Sequence, residues 1–89
     1  MAPTKKAQEL LDYLNDARRL EDLKSQLAVK QSEFKLVNTL LDQAEEPCED
    51  CIYQYNKLNR LILVDLLAIN EVEKRCLEYE LKVSLEEEE

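Results

Sequence analysis

The residue pattern with the clearest chemical potential is Cys48-Glu49-Asp50-Cys51, in which two cysteines are separated by two acidic residues. Two thiolates at this spacing supply half of a tetrahedral zinc site, and a second copy of the chain would have to supply the other half. A thioredoxin-like redox pair needs a βαβ setting, which this sequence does not indicate. A local disulfide needs an oxidising compartment, and three cysteines without a secretory signal predict reduced thiols instead. Zinc binding by Cys48 and Cys51 is therefore one hypothesis, and two ordinary cysteines at the start of a helix are the simplest interpretation.

Few other residues in this chain are of a type that could act in catalysis. Histidine is absent, so both the usual acid–base group at neutral pH and the commonest neutral metal ligand are missing. Lys30 could act as a catalytic lysine only if other reactive groups clustered with it, and none does in the sequence. Acidic neighbours such as Glu21 and Asp22 are more simply explained as solvated helix surface. We predict no catalytic residues and no enzymatic activity.

The elements that must position these residues are indicated by apolar side chains at seven-residue intervals, a spacing typical of helices that pack along a seam. Before the cysteines the repeat contains Tyr13, Leu20, Leu27, Phe34 and Leu41, and after them it contains Tyr55, Ile62, Ile69, Cys76 and Val83. The chain has no glycine, and Pro47 is its only interior proline. The sequence therefore predicts an all-α fold, a long antiparallel two-helix hairpin that resembles a coiled coil.

The predicted organisation is a single helical-hairpin domain over 1–89. Its parts are a helix over about 4–45, a corner at 46–50, a helix over about 51–83 and an acidic tail at 84–89. Thr4 and Asp50 are the expected N-caps, although a helix that starts at Pro47 is an alternative. A bend within Lys24 to Gln31, or a split into two helices there, is a further alternative to one straight first helix. The tail is expected to fray, because its glutamates lie at the negative end of the helix dipole.

A companion seam, offset from the first by three residues, contains Lys30 and Asp65 among mainly apolar members such as Leu23 and Val72. If the chain reverses at Pro47, Leu27 comes opposite Ile69 and Lys30 comes within reach of Asp65. An inward ion pair adds little net stability compared with an apolar pair, but a slipped register leaves one charge buried alone. We therefore interpret this pair as a device that selects the register of the hairpin.

The segment from Leu61 to Ile69 is apolar on nearly every side of a helix, and one neighbouring helix cannot cover it. We expect it to pack against a second copy or against another helical protein, forming a four-helix or larger bundle. An 89-residue hairpin also encloses little core of its own. The predicted partner-binding residues are Leu61, Leu63, Val64, Leu66 and Leu67.

The charge and hydropathy of the chain exclude several classes of partner. A net charge of −8 disfavours nucleic acid and anionic membranes, because either would require a cationic face. The longest apolar run is too short to span a bilayer and is interrupted by Asp65. The start of the chain does not resemble a signal peptide. We therefore expect a soluble protein, cytoplasmic or otherwise intracellular, with no cofactor unless zinc binds.

A CxxC pair at the apex between two long helices resembles the zinc hook of coiled-coil repair ATPases. This resemblance rests on the hairpin layout and on Cys48 and Cys51. It implies a dimer joined tip to tip through one zinc ion held by both copies.

Three functional hypotheses follow from the sequence. The first is a non-enzymatic interaction module, an assembly or adaptor subunit that acts through homo- or hetero-oligomerisation. The second is a small acidic chaperone that holds a helical client on the apolar segment around Leu61 to Ile69. The third is a dimer joined tip to tip by zinc.

Overall fold

The protein is an antiparallel hairpin of two long helices, seen in a computed structural model that describes residues 4–46 and 48–88. Helix α1 spans Lys5–Gln43 and helix α2 spans Glu49–Glu88, and the two pack against each other along their length. The described residues contain no strand and no helix long and apolar enough to cross a membrane. The hairpin measures 65 × 30 × 14 Å. The predicted all-α hairpin is confirmed.

Helix α1 begins where the sequence predicts it. The backbone of Thr4 is extended, and its side-chain oxygen accepts a hydrogen bond from the Ala7 N–H at 3.2 Å. This bond satisfies one of the free N–H groups of the first turn, which is the function of an N-cap. The helix then continues without a break through Lys24 to Gln31 and ends at Gln43. The alternative of two shorter helices in this region is therefore wrong.

Helix α2 starts earlier than predicted, and its cap is a cysteine. The Cys48 carbonyl accepts the Ile52 N–H at 3.1 Å, and the Cys48 sulfur accepts the Cys51 N–H, also at 3.1 Å. The prediction that Asp50 is the cap was wrong, because Asp50 lies inside the first turn beside Glu49. Two carboxylates there lie next to the positive end of the helix dipole, which favours a start at this point. Pro47 lies outside the described residues.

The end of α2 also differs from the prediction. The helix continues to Glu88, so the acidic tail expected beyond Val83 forms its last turns. Glutamate is a good helix former, and neither glycine nor proline follows to end the helix. A dipole penalty of about 0.3–1 kcal/mol per charge is a weaker influence than the continued backbone hydrogen bonding.

The core is a thin line of side chains between the helices. Its buried apolar members are Leu27, Ile62, Ile69, Val72 and Cys76. Leu20, Leu23 and Phe34 pack against part of this line. All of them occupy the two predicted seam classes, so the heptad pattern identified the contacting faces.

Two aromatic pairs join the helices. Tyr13 stacks on Tyr79, with 4.8 Å between ring centroids. The Phe34 ring lies 4.7 Å from that of Tyr55. A long ring reaches about one turn along the neighbouring helix, and contact between two rings adds to the stability from burial alone.

Candidate functional site

The most exposed apolar surface of the hairpin lies on α2, where the sequence predicts a partner. The five predicted binding residues are between 38% and 67% exposed, and they are Leu61, Leu63, Val64, Leu66 and Leu67. Ile62, Asp65 and Ile69 of the same segment are buried. The segment therefore divides into three residues that face α1, five that α1 leaves uncovered and Ala68, which is half-buried.

This exposed surface extends further along α2 than the sequence reasoning recognised. Leu77, Leu81 and Leu85 are also more than half exposed. Counting back from Leu81, the steps of three and four residues place Leu63, Leu67, Asn70, Lys74, Leu77 and Leu81 along one side of the helix. We call these six residues the outer stripe. The sequence signal that could have identified this stripe is a second apolar repeat, with steps of three and four residues, on the side of α2 away from the seam.

Helix α1 also exposes apolar side chains, but in two separate groups. Leu10, Leu11 and Leu14 lie near its start, and Val29, Leu36 and Leu40 lie in its second half. Single exposed apolar residues are normal on soluble proteins, whereas larger patches mark interaction sites. More large apolar side chains are exposed on α2 than on α1, so the outer stripe of α2 is the stronger candidate surface.

Lys30 and Asp65 meet near the middle of the hairpin, as predicted. Lys30 Nζ lies 2.6 Å from Asp65 Oδ2 and donates a hydrogen bond to it. The lysine side chain is 26% exposed and the aspartate side chain 11%. No buried side-chain nitrogen or oxygen lacks a hydrogen-bond partner in the part of the chain that the structure describes. Whether this pair selects the register stays a prediction.

Further ion pairs join the helices towards the open end of the hairpin, and the sequence reasoning did not find them. Arg75 donates two hydrogen bonds to Asp16, at 3.0 and 3.1 Å, and this contact lowers the pKa of the aspartate. Lys82 bonds both carboxylate oxygens of Glu9 and lowers its pKa as well. Charged residues beside a seam have several partners within reach, so spacing alone does not identify the pairs.

Tyr13 carries a hydrogen bond in addition to its ring contact. Its hydroxyl donates to Glu80 at 2.7 Å, and this bond to a carboxylate raises the pKa of the phenol. Tyr13 therefore joins the two helices both through its ring and through its hydroxyl group.

At the corner, Cys48 and Cys51 are joined as a disulfide, with 5.3 Å between their Cα atoms. This differs from the expectation of reduced thiols. A disulfide has no thiolate to offer a metal, so zinc binding requires the reduced pair and stays a prediction. Within residues 4–46 and 48–88, no three metal-binding side chains are grouped together. One copy therefore provides at most a half-site.

An apolar cavity of about 310 Å³ adjoins the disulfide. Val37, Leu40 and Leu41 line it from α1, while Cys51 and Gln54 line it from α2.

The third cysteine, Cys76, is a free thiol buried in the core, as the sequence predicts, and burial raises its pKa. Cys48 and Cys51 are therefore accessible to solvent reagents, whereas Cys76 is shielded from them.

The chain was compared with protein-family models, with curated proteins and with solved structures. None of these comparisons gave a match.

Proposed function

We propose that this chain is a non-enzymatic protein–protein interaction module, a helical-hairpin assembly or adaptor subunit that acts by burying the exposed face of α2 against another helix. The partner is a second copy or another helical protein. The observation that supports this proposal is the division of Leu61 to Ile69. Helix α1 covers only one side of a segment that is apolar nearly all round, and five side chains remain exposed.

The size of the exposed face supports association of moderate strength. Full burial of a leucine or valine side chain contributes about 1.5–3 kcal/mol. Because these side chains are already about half covered, each has roughly 1 kcal/mol left to contribute. Five residues on each of two copies would supply about 10 kcal/mol, against an association cost of about 4–15 kcal/mol. The leucines at the far end of the outer stripe are needed to make the balance clearly favourable.

The test is the solution mass by light scattering across a dilution series, with the 10.5 kDa monomer as reference. We expect a concentration-dependent mass above that of the monomer. The variant Leu63→Ser/Leu67→Ser should remain monomeric while keeping its helical circular dichroism signal, because both side chains lie outside the core. The matched control is Val29→Ser/Leu36→Ser, which removes two similarly exposed side chains from α1. Equal loss of association in both variants would contradict the proposal.

Two alternatives predict different results in the same measurement. A dimer joined by zinc at Cys48 and Cys51 should lose half its mass when a strong chelator is added, and Cys48→Ser should have the same effect. An acidic chaperone should associate only loosely by itself and should become ordered with its helical client. A stable mass that the chelator does not change supports the interaction module.

A further inference from the structure

The outer stripe of α2 has the same pattern of apolar and polar residues, at the same spacing, in both directions along the helix. Its order is two leucines, Asn70, Lys74 and two leucines, and its spacing is four, three, four, three and four residues. Each of the four leucines is more than half exposed, and both polar residues are exposed. The centre of this pattern is Val72, which faces α1 and is 2% exposed. The symmetry therefore belongs to the uncovered side of the helix.

A stripe whose apolar and polar positions follow the same pattern in both directions matches an antiparallel copy of itself. When two α2 helices lie antiparallel about this centre, Leu63 meets Leu81 of the second copy and Leu67 meets its Leu77. Alternating steps of three and four residues are the spacing at which side chains of one helix fit between those of another. We propose that the outer stripe is a self-association surface on which a second copy packs antiparallel, centred between Asn70 and Lys74.

The two polar residues distinguish this arrangement from a parallel one. In a parallel pair in register, Lys74 would face Lys74 of the second copy, and this repulsion would lie within an apolar surface. In the antiparallel pair, Lys74 meets Asn70, whose side-chain oxygen accepts from an ammonium group. Glu71 of the second copy also comes within reach of the lysine. Polar residues at seam positions are a known means of specifying register and orientation at a cost in stability.

The outer stripe lies entirely in regular helix, because α2 is continuous from Glu49 to Glu88. The stripe covers 18 steps of helix, or about 27 Å at 1.5 Å per residue. In the resulting four-helix assembly the two α2 helices are central and each α1 helix lies outside. This inference rests on the proposed function, to which it adds the partner and the orientation.

Cysteine cross-linking tests the orientation directly. In a Cys48→Ser/Cys51→Ser background, we would prepare Leu67→Cys and Leu77→Cys as separate proteins. Under mild oxidation, the equimolar mixture should give a covalent dimer that links position 67 to position 77, while each protein alone should give almost none. The background, with only buried Cys76, and a Val29→Cys variant serve as controls. All five altered positions are exposed, so folding should be retained.

Each other outcome overturns the inference in a distinguishable way. Covalent dimers in each separate protein, without enrichment in the mixture, would indicate parallel packing and leave the proposed function intact. If light scattering shows that the background protein associates, but neither cysteine variant nor their mixture gives a covalent dimer, the interface lies elsewhere on the hairpin. A background that is monomeric at all concentrations would overturn self-association itself.

A variant without engineered cysteines, Lys74→Glu, should weaken the association at least about 10-fold, because it places a carboxylate beside Glu71 of the second copy.

Discussion

The ion pair between Lys30 and Asp65 leads to an unequal prediction for its two partners. Removal of the lysine charge by Lys30→Met leaves a short carboxylate with an 11% exposed side chain and no partner. Removal of the carboxylate by Asp65→Leu leaves a long, 26% exposed lysine side chain whose ammonium group can turn to water. The first change should therefore destabilise the hairpin much more than the second.

The magnitude follows from the burial of each group. An uncompensated, fully buried charge costs about 3–5 kcal/mol, and the remaining exposure of Asp65 reduces this to roughly 2 kcal/mol for Lys30→Met. Asp65→Leu should cost less than about 1 kcal/mol, because the lysine regains its solvation. The double variant should lie near the wild type, since an apolar pair replaces an ion pair with little net change. The magnitude of the coupling energy is therefore about 2–3 kcal/mol.

The assay is urea unfolding of the four proteins, followed by circular dichroism at several protein concentrations so that association can be separated from folding. The Lys24–Glu73 pair, whose side chains are 57% and 40% exposed, is the matched control. Its cycle should give less than about 0.5 kcal/mol. The reasoning is refuted if Asp65→Leu costs as much as Lys30→Met, or if the two cycles give the same coupling. The charge exchange Lys30→Asp with Asp65→Lys should recover much of what either single change loses.

Three other predictions use contacts near the ends of the hairpin and the core cysteine. The hydrogen bonds from Arg75 hold the pKa of Asp16 in the folded protein below its ordinary value of 3.8. The stabilisation from this ion pair is therefore complete above about pH 3.8 and is lost as the pH falls through the pKa of Asp16 in the folded state. Acid titration of thermal unfolding should be flatter for Asp16→Asn than for the wild type, and parallel curves would contradict this. Cys76 should be alkylated at least about 100-fold more slowly in folded than in urea-unfolded protein, because it is buried and the pKa of its thiol is raised; equal rates by mass spectrometry would refute the burial. Thr4→Ala should cost about 0.5–1 kcal/mol and accelerate amide exchange at Ala7, because the cap bond is lost, whereas Thr4→Ser should restore both.

The hairpin and its central ion pair could be predicted because they depend on long periodic patterns. Leu27, Ile62 and Ile69 belong to repeats of five members each, and an error at one position does not change the face that a repeat identifies. Lys30 and Asp65 then follow from the reversal at the corner, because they occupy the companion seam at a fixed offset of three residues from Leu27 and four from Ile69. Patterns of this length are more informative than any single residue.

Features that depend on one or two residues were harder to predict. Asp50 and Cys48 both stand near the start of α2, and the choice between them depends on local backbone geometry that no repeat reports. The outer stripe beyond Leu67 was missed because Asn70 and Lys74 interrupt its apolar character. Its symmetry becomes visible only when the structure shows which leucines α1 leaves uncovered.

The single corner also has a consequence for the rate and order of folding. Contacts between the helices become steadily more distant in sequence towards the open end: Lys30 and Asp65 are 35 residues apart, Asp16 and Arg75 are 59, and Glu9 and Lys82 are 73. Each contact shortens the free loop that the next must close, so zippering outward from the corner avoids the entropy of closing a long loop at once. Folding should therefore be fast, with a transition state structured near Phe34 and Tyr55. Changes there should slow folding, whereas changes at Glu9 or Lys82 should mainly accelerate unfolding.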